Sequence, residues 1–356
     1  MSEYPAIPAT NRPATGKAGQ RITIVRDLDR QAWKEFIQDH PQGNIFHTPE
    51  MVQVYQETRG YETQVWAAVN DAGQILALML PVQISLFNGP LQRITSRAVV
   101  FGSVLAVDGL SGEAGLEKLL AAYADDTGGS YLFTELRNVS DLGRWQPILE
   151  RSGFIYEEHL NYLIDLTQDE EEMFGKVSSR TRSYIRKAIR QEKLELREVT
   201  DRADLPAMYE LLHQTYQNAQ VPLSDISLFE NAFDILRPLG MARFLAVYLE
   251  ERPIAVSIDL LFKDRVYYWY GGMDRDYSKQ HPNEYLRWSI IQRGKQEGYA
   301  IFDFGGAGRP DQVYGVRDFK AKFGGDLVGY GRNVCEHSPR LLRLSTLGYG
   351  VVRKLL

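Results

Sequence analysis

Thr48–Gly60 (TPEMVQVYQETRG) is helix-like, and an apolar run at Val65–Val69, a turn at Asn70–Gly73 and a second run from Ile75 to Leu86 follow it. The same order returns later in the chain. Ser227–Gly240 (SLFENAFDILRPLG) is helix-like, followed by Phe244–Leu249, a turn at Glu250–Pro253 and Ile254–Phe262. Val65 and Phe244 are 179 residues apart, as are Ile75 and Ile254. Self-similarity at a fixed offset marks a duplicated unit.

The repeat continues in a second register. A helix at Leu116–Tyr123 leads into GGSYLFTEL, and a helix at Leu286–Lys295 leads into EGYAIFDF. Tyr131 and Tyr299 are 168 residues apart, as are Glu135 and Asp303, so the second copy lacks about a loop's worth of residues between hairpin and helix. Each half reads as helix, antiparallel hairpin, helix, strand. That order predicts a mixed α/β (α+β) architecture with sheets partly covered by helices. The boundaries expected are a flexible arm at 1–20, a first domain at 21–161, a second at 162–335, and a tail at 336–356, with a strand closing the second half near Asp326–Val334.

The 356 residues are 44% hydrophobic and 24% charged, enough for a packed core and against wholesale disorder. With 41 basic and 46 acidic residues, a net charge of −5, a nucleic-acid contact has to be local. Cys335 is the single cysteine and the six histidines are scattered, so a reducing compartment and no structural zinc are expected. The first twenty residues lack the apolar core of a signal peptide, and no run of 18 apolar residues occurs; a cytoplasmic protein is the expectation.

Three segments can carry chemistry. From Lys176 to Lys193 seven basic side chains (Lys176, Arg180, Arg182, Arg186, Lys187, Arg190, Lys193) face one acid, Glu192. Arg182, Arg186 and Arg190 share a helix face, where like charges repel unless an anion meets them, so Arg180, Arg182, Arg186, Lys187 and Arg190 are candidate phosphate contacts. Pairing with Glu170, Glu171 and Glu172 is the alternative. The second segment, Val266–Gly272, places Tyr268 and Tyr270 on one face of a strand and Tyr267 and Trp269 on the other by strict alternation. The third, Tyr299–Gly325, reads as a strand to Phe304, a loop with Gly305, Gly306 and Gly308, then Tyr314 and a cluster containing Phe319, Lys320 and Phe323. A lysine on an apolar ledge can stabilise developing negative charge without acting as a base. The motif GxxxxGK[ST], a GxSxG elbow and HExxH are all missing, so direct transfer fits better than covalent catalysis.

SSRTRSYIRKA, YYWYGGMD with HPNEYLRW, and YAIFDFGGAG…YGVRDFKAKFGG together resemble the FemABX family, aminoacyl-tRNA-dependent transferases that build peptidoglycan interpeptide bridges. The resemblance runs from about Trp33 to Gly331. It implies two tandem GNAT-like domains and peptide-bond formation, with aminoacyl-tRNA as donor, a peptidoglycan-precursor amine as acceptor and no cofactor. It implies oxyanion or leaving-group stabilisation for Lys320 and a contact with the terminal nucleotide for Phe319. Tyr268, Tyr270, Asp303, Gly305, Gly306 and Tyr314 are the implied substrate contacts.

The chain departs from the family in three places. Tyr55 stands where members using a nucleotide-linked precursor carry a phosphate-binding lysine, Val221–Ser227 lacks a matching arginine, and Met173–Ser227 leaves no room for a coiled-coil arm. The tail Ser338–Leu356 bears Arg340, Arg343, Arg353 and Lys354 among Leu and Val, which suits peripheral contact with the inner face of a membrane. Two other readings stay open: an acyl-CoA-dependent N-acyltransferase acting on an amino sugar, although the Gln/Arg-x-x-Gly-x-Gly/Ala loop is not visible, and a non-catalytic RNA- or membrane-binding module.

Overall fold

A strand that Pro81 interrupts in one half runs unbroken in the other, and this difference sets the sheet plan. In the computed structural model, which describes residues 21–85, 96–127, 131–339 and 341–342, Ile75–Met79 pairs with Trp66–Asn70. After Leu80–Pro81 the chain re-enters a different sheet as Val82–Ser85. Proline cannot donate to a ladder. At the equivalent place, 179 residues on, Leu260 lies inside the continuous strand Arg252–Phe262.

Three sheets result among the described residues. A four-stranded sheet runs Ile22–Val25, Trp66–Asn70, Ile75–Met79, Leu105–Ala106. A six-stranded sheet runs Tyr61–Thr63, Val82–Ser85, Ser96–Phe101, Phe133–Arg137, Arg332–Glu336, Ile155–Glu157. The seven-stranded sheet of the second half runs Leu194–Glu198, Ala242–Leu249, Arg252–Phe262, Arg265–Met273, Ile301–Gly308, Leu160–Asp165, Asp326–Val328.

The duplication extends to hydrogen-bond register. In the first hairpin the pairing slips between Ala68 and Val69, and in the second between Val247 and Tyr248, each 179 residues further on. Among the described residues each half has one parallel pair of strands. Ala98 faces Thr134 and Val99 faces Glu135 in the first; Val266 faces Phe302 and Tyr267 faces Asp303 in the second, all displaced by 168. The repeated helices, Pro49–Glu57 and Ile226–Ile235, pack on each other between the halves. One core there joins Phe46, Met51 and Tyr55 to Phe229, Phe244 and Tyr267. On the other face of the large sheet, helices Ser179–Gln191 and Pro282–Gln296 bury Ile185, Leu286 and Ile291.

Between residues 173 and 227 lie short helices and one strand, without a coiled-coil arm. The single closing strand expected near Asp326–Val334 is two. Asp326–Val328 completes the second sheet, and Arg332–Glu336 crosses back between Phe133–Arg137 and Ile155–Glu157 of the first. The arm at 1–20, and the tail from 343 onward, lie outside the described residues. Among those described, no helix is long and apolar enough to cross a membrane.

Candidate active site

The two parallel strand pairs end at a cavity of about 180 Å³ between the halves. Phe46, Phe101, Arg137 and Asn138 come from the first half; Tyr267, Tyr268, Asp303, Gly305 and Gly306 come from the second. The connection adds His159 and Asn161, and the returning strand adds Arg332.

Glu135 and Asp303 are equivalent in the repeat, yet their surroundings drive them apart. Glu135 accepts from Arg137 Nε at 2.8 Å and from Arg332. Burial pushes its carboxyl up, but the two guanidiniums outweigh that and hold it at about 2. Asp303 is 2% exposed, and its Oδ1 accepts the Gly305 N–H at 2.8 Å. Its Oδ2 has no hydrogen-bond partner among the described residues, with Arg265 Nη1 at 3.9 Å. Burial raises this carboxyl above the ordinary aspartate range. His159 accepts from Arg332 Nη2 at 3.0 Å; burial and the same guanidinium lower it to about 4, so it is neutral at pH 7.

The glycines expected in a loop belong to a strand. Ile301–Gly308 continues past Phe304, pairing Gly305 with Tyr162 and Gly306 with Asn161. Gly305 sits at φ +76°, a conformation glycine adopts without a Cβ clash. This geometry turns Phe304 O and Gly306 O toward Lys320, whose Nζ donates to them at 2.5 and 2.8 Å. Lys320 is 4% exposed and lies behind the glycine strand, out of the cavity wall. A Cβ on Gly305, which does line the cavity, would stand 3.7 Å from that ammonium. Burial lowers the ammonium to about 7, against the opposing pull of Asp303. Phe319 is half-buried and meets Phe304 and Phe323 edge-on, while Tyr314 stands beside Gly308 at the start of helix Gly315–Ala321.

The aromatic strand corrects the alternation argument. Pairing with Arg252–Phe262 slips so that Asp259 faces Tyr268 while Ile258 faces Tyr270, leaving Trp269 as the extra residue of a bulge. Tyr268 and Tyr270 therefore point to opposite faces. Tyr268 lines the cavity, and its hydroxyl accepts from Arg287 Nη2 at 2.9 Å. Tyr270 packs edge-on against Phe229 and shares a hydrogen bond of 3.1 Å with Ser224 Oγ, away from the cavity.

The basic helix Ser179–Gln191 adjoins this site, since Ser178 N–H donates to Lys322 O at 2.8 Å. None of Arg180, Arg182, Arg186, Lys187 and Arg190 pairs with a carboxylate among the described residues; Glu172 pairs with Lys176 instead. Arg182 has an internal task, donating to Gly175 O at 2.6 Å and to Val177 O. Arg180 donates to Tyr184, Arg186 lies 5.1 Å over the Phe174 ring, and Arg186, Lys187 and Arg190 are exposed.

Sequence reasoning missed Arg137, Asn138, His159, Arg265, Arg287 and Arg332. Only the Glu135–Asp303 register pointed toward them.

Duplicated strand registers, and a parallel strand pair in each half ending at one shared cavity, describe two tandem GNAT-like halves. Residues 175–321 match the family described as acetyltransferase (GNAT) domain. The chain is 21% identical to a lipid II:glycine glycyltransferase of Staphylococcus haemolyticus (strain JCSC1435), over 84% of this chain and 89% of that one. It is similar in fold to the crystal structure of FemX, with a TM-score of 0.69 at 15% identity, covering 90% of this chain and 99% of that. A tandem GNAT protein from the clavulanic acid biosynthesis pathway follows at a TM-score of 0.57 and 10% identity, covering 90% and 99%. The chain is similar to these proteins and shares the tandem-GNAT fold of the two solved structures.

Proposed function

We propose that this chain transfers an aminoacyl group from aminoacyl-tRNA to an amine of a peptidoglycan precursor. The observation that carries the reading is the Lys320 ammonium, buried behind Gly305 with two of its three N–H bonds on carbonyls and one left. The amine nitrogen attacks the ester carbonyl carbon, a C–N bond forms, and charge collects on the carbonyl oxygen. The positive charge of Lys320, held behind the Gly305–Gly306 strand, stabilises that oxygen across it. The C–O bond to the ribose then breaks, and the proton shed by the amine goes to the departing oxygen. Donors fixed before the reaction need no reorganisation as charge develops, which is why they lower the barrier.

Two further observations support the donor. The exposed cations of the basic helix, without carboxylate partners, begin one hydrogen bond away from the lysine's own helix. The relative from Staphylococcus haemolyticus is named for glycyl transfer onto lipid II. An acyl-CoA donor is disfavoured where helix Pro282–Gln296 begins. His281 precedes Pro282, which has no N–H to offer a pyrophosphate, and stacks on Tyr184 with ring centres 3.6 Å apart.

The test is incubation with charged tRNAs and lipid-linked precursor, read by mass. A gain of one amino-acid residue is expected, and Lys320→Ala should slow transfer by roughly 100-fold. No transfer across a panel of charged tRNAs, together with thermal stabilisation by acyl-CoA, would overturn the reading.

The acceptor is reached at a membrane face through the basic tail, a second part of the same proposal. Its check is co-sedimentation with anionic vesicles, which truncation at 337 should abolish.

A further inference from the structure

One carboxylate behind the cavity wall serves two guanidiniums, and the arrangement leaves positive charge over. Glu135 accepts from Arg137 Nε at 2.8 Å and from Arg332. The bond at Nε orients the Arg137 guanidinium, whose Cζ lies 5.3 Å over the Phe101 ring. Its other end is free. Nη1 and Nη2 meet no acceptor among the described residues and are not buried, on a side chain that is 35% exposed and lines the cavity. The N–H bonds at that end form a planar fork of the kind that grips an oxyanion with two parallel hydrogen bonds.

His159 brings a further donor to the same cavity. A guanidinium can only donate, so the 3.0 Å contact from Arg332 Nη2 makes His159 Nε2 an acceptor. The neutral ring then carries its proton on Nδ1, which is also without a partner among the described residues and not buried. The carboxylates nearby do not cancel these donors. Glu135 is shared between Arg137 and Arg332, and Asp303, 2% exposed, has Arg265 Nη1 at 3.9 Å.

We propose that Arg137 and the Nδ1–H of His159 hold a carboxylate of the acceptor substrate in this cavity. The inference deepens the transfer reading and rests on it only for the naming of the ligand as acceptor. Two guanidiniums sharing one carboxylate leave one positive charge, which matches a carboxylate and falls short of a phosphate monoester. Phe46, Phe101, Val139 and Tyr267 line the rest of the cavity and suit a short aliphatic group next to the anion. Gly305 and Gly306, in front of Lys320, line it too. A carboxylate held here therefore fixes the acceptor beside the proposed reaction centre.

Direct binding tests this without relying on catalysis. N-acetyl-alanyl-alanine and its C-terminal amide, each in the L,L and D,D forms, are titrated into the full chain by calorimetry. In at least one form the acid should bind at least tenfold more tightly than the amide, and Arg137→Gln should remove that preference. Equal binding of acid and amide by the unaltered protein in both forms overturns the subsite, and no variant has to fold for that result. A preference that survives Arg137→Gln overturns it as well. Inorganic phosphate binding more tightly than the peptide acid makes the site one for phosphate, which also overturns the proposal. In the transfer assay Arg137→Gln should raise the acceptor KM at least tenfold while kcat changes less, a split that lost stability alone does not produce. Absence of transfer with the preference for the acid intact counts against the proposed reaction alone.

Discussion

Burial disfavours the charge of Lys320 and lowers its ammonium to about 7. In the proposed transfer it stabilises the oxyanion only as the ammonium. Transfer efficiency should therefore fall as pH rises through about 7, and Lys320→Arg, which stays charged, should abolish that fall. A rate that rises through the same range would make it a base. The same shift bears on stability. Between about 7 and the ordinary 10.5, the unfolded chain keeps a proton that the folded chain has released, so this group's contribution rises with pH across that window. Lys320→Met should flatten that slope in denaturant titrations. Lys320, Asp303 and Tyr268 were legible in the sequence because two short segments hold all three. Asn138, His159 and Arg332 were not, since each looks ordinary among its neighbours and only the folded sheet gathers them.

The basic helix shows how one element divides its labour. Spacing alone put Arg182, Arg186 and Arg190 on one stripe, but Arg182 closes the end of the preceding helix Glu170–Lys176 through Gly175 O and Val177 O. Arg182→Ala should destabilise by about 1 kcal/mol, measured by denaturation, because those carbonyls lose their donor. Arg186→Ala with Arg190→Ala should leave stability within about 0.5 kcal/mol and instead weaken tRNA binding, lowering the salt slope by roughly one per lost phosphate contact. Unchanged tRNA affinity in that double variant would remove the helix from the donor site. The aromatic strand teaches a related lesson. Its composition announced a strand, but parity could not anticipate one extra residue at Trp269, and that residue sends Tyr270 into the core between the halves. The glycine segment erred the other way: a composition typical of loops proved to be a strand, because Tyr162 and Asn161 supply its ladder.

At the scale of the whole molecule, the duplication was legible in two numerical offsets, and the structure repeats both in its hydrogen-bond registers. The crossover of Arg332–Glu336 was not, because a strand's partners are not written in its own residues. Glu135 ties this strand in place through Arg332. Its stabilisation is complete above the ordinary glutamate value of 4.5 and is lost as pH falls from there toward about 2. That is worth roughly 3 kcal/mol. Hydrogen exchange at residues 332–336 should accelerate over this range, and Glu135→Gln should bring the acceleration to neutral pH. The crossover also orders events during synthesis. The six-stranded sheet of the first half lacks an interior strand until residue 336 has left the ribosome. The N-terminal half therefore stays incompletely zipped while the second half is made.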